Sequence, residues 1–211
     1  MTTTSPDTAP ARTAASAKGA ARREKILRGV IAIIARDGYR QQSLRELAKA
    51  LEMEAQHVLY YFASREDLLR SVIELWDKDS LANPDRAPDF VQVTGPSLDR
   101  YVAAVRRSSA APGMSYLYLS FAADAVVPTH PGHDFVRARQ ARVRRDLAEA
   151  IRAEQAAGTI APDIDPPRAA RQLSALSNGL QLQALLDPDG ADCDPAGEVA
   201  AAVARLRAAA R

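Results

Sequence analysis

The 211-residue chain has one cysteine, Cys193. No intramolecular disulfide can form, which suits a reducing cytoplasm. Aromatic residues are scarce at 5%, although apolar residues make up 47%. Ala and Leu supply much of that apolar content, and both favour helix. No apolar run approaches the roughly 18 residues of a membrane span. The opening stretch MTTTSPDTAPARTAASAKGA lacks the apolar centre of a signal peptide. Residues 1–17 read as a disordered tail, being small, polar and proline-containing. No segment alternates with period two over a length that would build a sheet, and no internal repeat is visible. Nucleophile elbow, P-loop, H-E-x-x-H and dinucleotide fingerprint are all missing. The expectation is an all-α chain that is not an enzyme and needs no cofactor.

Charge is present but unevenly placed. The net charge is only +2. Residues 18–65 hold ten Lys/Arg against five Asp/Glu, hence +5; residues 66–211 hold 17 against 20, hence −3; Asp7 and Arg12 cancel. A basic N-terminal third on a mildly acidic body is the asymmetry expected if only that third meets a polyanion. Charge runs are also commonly just solvated faces, so charge alone does not establish DNA binding.

Apolar periodicity divides the chain into helices. The first spans about residues 20–37, with Ile26, Leu27, Val30, Ile31 and Ile34 in one stripe. Asp37-Gly38 ends it, Gly38 being free to take the left-handed conformation. Lys18, Arg22, Arg23 and Lys25 cluster at its front, as a phosphate-contacting arm or as a solvated helix start. Ser43-Leu44-Arg45-Glu46 is a capping box that opens a second helix with Leu44, Leu47, Ala48 and Leu51 inward. After the turn Glu52-Met53-Glu54, with Met53 as its apolar plug, a third helix over residues 55–61 turns Val58, Leu59 and Phe62 inward. Ser64-Arg65-Glu66-Asp67 caps a fourth helix that reaches about Ser80. Residues 83–96 read as a loop. Helices then follow over about 97–109, 114–127, 133–157, 166–186 and 195–207, giving about nine in all. Pro112-Gly113 and the stretch 128–132 break the chain, and Asp165-Pro166 and Asp194-Pro195 start the last two helices.

Two short helices joined by a sharp turn bury little by themselves and present one helix to an outside partner, most often DNA. In a major groove, Gln56 and His57 become base readers, Gln56 having the bidentate geometry for adenine. Glu54 can accept from a cytosine amino group, and Tyr60 can reach a phosphate or a thymine methyl. Ser43, Arg45 and Arg65 stand at helix starts facing the backbone. The same side chains would also be unremarked residues on a short surface helix.

The run Val58-Leu59-Tyr60-Tyr61-Phe62-Ala63-Ser64-Arg65-Glu66-Asp67-Leu68-Leu69, with Ser43-Leu44-Arg45-Glu46-Leu47-Ala48 before it, resembles the DNA-binding domain of the TetR family of transcriptional regulators. That family's pattern is roughly L-Y-x-H-F-x-S-K-E-x-L, and the likeness covers about residues 20–78. The resemblance implies a three-helix, helix-turn-helix domain at 18–64 and a helical effector-binding and dimerisation domain at 65–211. It implies a homodimer on a palindromic operator, most often a repressor, released by a small organic effector. Some positions depart from the pattern. Glu52 stands where Gly is usual, and a Glu at positive φ would be strained, so another turn conformation is expected. Glu54 replaces Ser, and Tyr61 stands where His is usual.

The resemblance further implies that Trp76, Tyr101, Tyr118, Phe121, Phe135 and Gln181 fall on helices enclosing the effector cavity. The last two helices would pair with their mates in a four-helix bundle through Leu173, Leu176, Leu180, Val199, Val203 and Leu206. Arg137, Arg139, Arg142, Arg144 and Arg145 read as a solvated face with i,i+4 partners. Two other readings stand beside this one. Glu52 and Glu54 would suit a small-molecule-binding protein whose DNA head has decayed. His130 and His133 could serve a helical metalloenzyme, although a plain polar loop-to-helix junction explains them more simply.

Overall fold

The computed structural model describes residues 11–82, 95–188 and 193–208. Among them are nine α-helices and no strand. The first ten residues of the expected tail, and the expected loop up to residue 94, lie outside the described residues.

The head consists of α1 (Ala11–Asp37), α2 (Leu44–Ala50) and α3 (Ala55–Leu59). Helix α1 starts earlier than its apolar stripe. Residues 11–22 are rich in alanine, the best helix former, and they extend the helix ahead of its apolar stripe. Gly38 closes it at φ 73°. The capping box opens α2 as expected. The amide and the hydroxyl of Ser43 each donate to Glu46 Oε2 at 2.7 Å, and the Glu46 amide donates to Ser43 Oγ at 3.3 Å.

Two expectations fail in the head. Glu52 adopts φ 56°, so the turn keeps the left-handed conformation despite its side chain. The Glu52 amide bonds Lys49 O at 3.0 Å and the Met53 amide bonds Ala48 O at 2.9 Å, while Met53 packs half-buried on the core. Anchored on both sides, the residue accepts a backbone cost of about 1–2 kcal/mol. Leu59, expected inward, is 46% exposed. Val58 and Phe62, one turn apart, already face the core, and a residue next to Val58 is rotated about 100° away from it.

Helix α4 (Arg65–Ala82) joins head to body. The Asp67 amide donates to Ser64 Oγ at 3.1 Å, and Asp67 Oδ2 reaches back to the Ala63 amide at 3.0 Å. The body contains α5 (Leu98–Ser109), α6 (Pro112–Asp124), α7 (His133–Ala156), α8 (Pro166–Leu186) and α9 (Pro195–Ala208). Pro112 is not a break but the first residue of α6, where its missing N–H costs nothing. Pro166 plays the same part in α8, although Asp165 makes no side-chain cap bond.

The head has no separate core. Ile26, Val30, Ile34, Leu47, Val58 and Phe62 share one apolar cluster with Leu68, Leu69, Val72 and Ile73 of α4 and with Met114, Leu117, Tyr118 and Phe121 of α6. A Cβ on Gly113 would stand 2.5 Å from Ile34 O, so glycine is what lets α6 lie against α1. A second cluster, including Leu98, Leu147, Ile151, Leu173 and Val203, joins α5, α7, α8 and α9.

Candidate nucleic-acid interface and effector cavity

The outward face of α2 and α3 carries Ser43, Arg45, Glu54, Gln56, His57 and Tyr60, all exposed. Tyr60 is 80% exposed, too open for any packing role. His57 stacks on Tyr61 at 6.2 Å, and Tyr60 meets Tyr61 edge-on at 5.0 Å, which braces this exposed face from behind. Lys18 and Arg22 are exposed on α1. Arg23 is not available with them. Its Nη2 donates to buried Ser71 Oγ at 2.6 Å, and its guanidinium lies 4.6 Å over the Phe62 ring. Arg65 is engaged internally too, donating to Gln42 O at 2.7 Å and Tyr39 Oη at 2.8 Å. It fastens the loop before α2 to the start of α4.

A cavity of about 410 Å³ opens between α4, α5, α6, α7 and α8. That volume suits a small organic molecule. Trp76, Tyr101, Tyr118 and Gln181 line it, as expected from the sequence. Phe121 and Phe135 do not. They pack on each other at 6.3 Å, with His130 5.5 Å from Phe121, and fill the joint between α6 and α7. Helical spacing reports which way a residue faces, not whether the space there is filled.

Arg139 does not belong to the expected solvated face: its side chain is only 19% exposed. Its Nε and Nη2 donate to the two oxygens of Asp77 at 2.7 and 2.8 Å, and it lies 4.0 Å over the Tyr118 ring. Burial alone would lower the Arg139 pKa; the bonds and charge of Asp77 outweigh it and push it up, so the guanidinium stays charged. Gln140 donates to Tyr118 Oη at 2.6 Å, and Gln181 donates to Ser177 Oγ at 2.9 Å. Ser174 and Asn178 complete the polar wall from α8. Nothing in local sequence could pair Asp77 with Arg139, which are 62 positions apart.

The six leucines and valines expected at a dimer face all contribute to clusters within the protomer, three of them fully. Leu173, Val199 and Val203 are buried in its own clusters, and Leu176, Leu180 and Leu206 pack against them. The apolar stripe of a helix goes first to the nearest core. Facing outward are Ala175, Gly179, Leu182 and Leu186 on α8 and Ala201 and Ala204 on α9. His130 and His133 shape the turn before α7: His130 Nδ1 accepts the Gly132 amide at 3.0 Å, and His133 Nδ1 donates to Ala125 O at 2.9 Å.

The family model described as "Bacterial regulatory proteins, tetR family" matches residues 26–72, from the middle of α1 into α4. The one described as "BetI-type transcriptional repressor, C-terminal" matches residues 98–209, more than half of the chain. The chain belongs to the TetR family of transcriptional regulators. Members of this family are ligand-responsive DNA-binding regulators, typically repressors, and not enzymes. Solved structures agree on the fold. A TetR-family regulator from Rhodococcus sp. superposes with TM-score 0.68 at 22% identity over 88% of this chain and 98% of its own. Regulatory protein TetR from Rhodobacter sphaeroides gives 0.64 at 20% identity, over 87% and 97%. A TetR-family regulator from Agrobacterium tumefaciens gives 0.63 at 18%, over 89% and 97%. No curated protein matches the chain. No helix among the described residues is long and apolar enough to cross a membrane.

Proposed function

We propose that this TetR-family regulator works in the cytoplasm as a homodimeric repressor on a palindromic operator, released by a small organic effector held in the body cavity. Residues 18–64 act as the DNA-binding unit and residues 65–211 as the effector and dimer unit. Gln56, His57 and Tyr60 read or touch the major groove, with Glu54 and Tyr61 beside them. Lys18, Arg22, Ser43 and Arg45 meet the phosphate backbone. Arg65 acts by holding the head together and not by contacting DNA. The outer faces of α8 and α9, where Ala175, Gly179, Leu182 and Leu186 are exposed, meet their mates across a two-fold axis.

The observation that carries the reading is the position of α4. Its first turn is capped onto the end of the helix-turn-helix through Ser64 and Asp67. Its far half supplies Ile73, Trp76 and Asp77 to the cavity wall. A ligand that changes this wall therefore acts on the helix that carries the head. For release, the effector must bind better to the subunit arrangement that does not fit DNA.

Fluorescence anisotropy with DNA fragments from upstream of the gene and its neighbours tests the proposal. Binding should fall with salt at a slope reporting several phosphate contacts. A protein whose DNA head had decayed would bind no fragment at any salt concentration.

A further inference from the structure

This inference rests on the cavity being the effector site, and concerns the chemistry of the effector. The cavity wall carries three guanidiniums, Arg100, Arg139 and Arg142, against two carboxylates, Asp77 and Asp146. The single carboxylate of Asp77 faces two guanidiniums, Arg139 at 2.7 Å and Arg142 at 3.2 Å. The other carboxylate on the wall, Asp146, is engaged by Arg145 at 3.1 Å. Two of the three aromatic rings on the wall, which could otherwise receive a cationic ligand, already carry guanidiniums: Arg139 stands over Tyr118 and Arg107 lies 4.4 Å over Trp76, while the third ring is that of Tyr101. The remaining wall is largely apolar, with Val105, Met114, Val143 and Leu147.

We propose that the effector is an amphipathic organic anion whose carboxylate takes the place of Asp77 on Arg139 and Arg142, undoing the clamp between α4 and α7. A guanidinium fork matches any carboxylate in the same bidentate way. Exchanging one carboxylate for another keeps the half-buried Arg139 paired throughout, so its desolvation is not left uncompensated. The apolar part of the ligand fills the cavity behind it. Asp77, already 18% exposed, turns to solvent. The exchange links the two functions: whatever loosens Asp77 weakens DNA binding and strengthens anion binding together.

The test uses the full-length protein and its only tryptophan, Trp76, which lies on the cavity wall. Fluorescence titrations with octanoate and 4-phenylbutyrate are compared with their primary amides and with tetramethylammonium. Each acid should bind at least about tenfold tighter than its amide, the scale of a charge-assisted hydrogen bond. Arg139→Gln should abolish that preference. Asp77→Asn should tighten acid binding and weaken DNA binding with no ligand present. Arg142→Gln, at a site 48% exposed and so tolerant of change, should reduce the preference even if Arg139→Gln fails to fold. Equal binding of acid and amide to the wild-type protein and to Arg142→Gln would overturn the anion and leave the cavity as effector site. Preference for tetramethylammonium would overturn it in the same way. No response to any probe, with DNA affinity unchanged in Asp77→Asn, would overturn both.

Discussion

The head and the body of this regulator solve opposite packing problems. The head is small, and its two shortest helices present polar and aromatic side chains outward while every large apolar group except Leu59 and Tyr60 turns in. Its edges are held by two local side-chain caps and by the Arg65 bonds to Gln42 and Tyr39. The body is larger and leaves space inside itself. Its cavity wall is held by an ion pair between residues distant in sequence, Asp77 and Arg139. A reading surface needs rigidity and exposure, whereas a ligand site needs room and polar groups that can change partners.

The contrast has a limit, because both parts draw on one apolar cluster through α4 and α6. Leu117, fully buried in α6, tests this most strongly. Leu117→Ala should cost about 2–5 kcal/mol and lower the melting of head and body together, seen as one calorimetric transition. Two separate transitions would show that the head stands alone. Next in size is the reading face itself. Gln56→Ala combined with Tyr60→Ala should lower operator affinity by roughly 1–3 kcal/mol, at least tenfold, with the melting temperature unchanged. Unaltered binding would move the DNA contact away from α3.

Gly113→Ala probes the joint between the two parts. Its Cβ would press on Ile34 O, so a loss of about 1–3 kcal/mol is expected in chemical denaturation, together with altered effector-driven release in anisotropy. A smaller effect, of opposite sign, belongs to the turn. Glu52→Gly relieves the left-handed strain and should raise stability by up to about 1 kcal/mol, part of the gain being offset by glycine's extra freedom in the unfolded chain. It should also strengthen DNA binding by removing a carboxylate near phosphate. The smallest effect is pH-dependent and confined to the head. Burial would raise the Asp67 pKa, but the Arg70 guanidinium and the Ala63 amide outweigh it and hold it below the ordinary carboxylate value. A depressed folded pKa contributes stability that is complete above the unfolded value, 3.8, and is lost as pH falls through the folded one. Melting temperatures followed downward from pH 6 should lose this contribution only as pH drops below about 4, and should fall less steeply there for Asp67→Asn.

Much of the head was legible because its signals are local. A Ser three residues before a Glu builds a cap wherever a helix starts, and the Ser43–Glu46 bonds follow from that spacing alone. The body was legible as helices but not as a site. Phe121 and Tyr118 lie on the same inward side of α6, yet one fills a joint and the other borders a cavity. Leu173 and Leu176 form an apolar stripe, but the stripe cannot say whether its own chain or a second copy will cover it.

The sequence by itself determined the helices, the caps at Ser43 and Ser64, the helix-turn-helix and the family, because these depend on propensity, periodicity and capping within a few residues. Only the tertiary structure decided which inward residues border empty space, that Leu173, Val199 and Val203 are buried within the protomer, and that Arg139 pairs with Asp77 on the cavity wall. Those outcomes depend on how helices far apart in the chain come to lie together, and on the shape of the volume left between them.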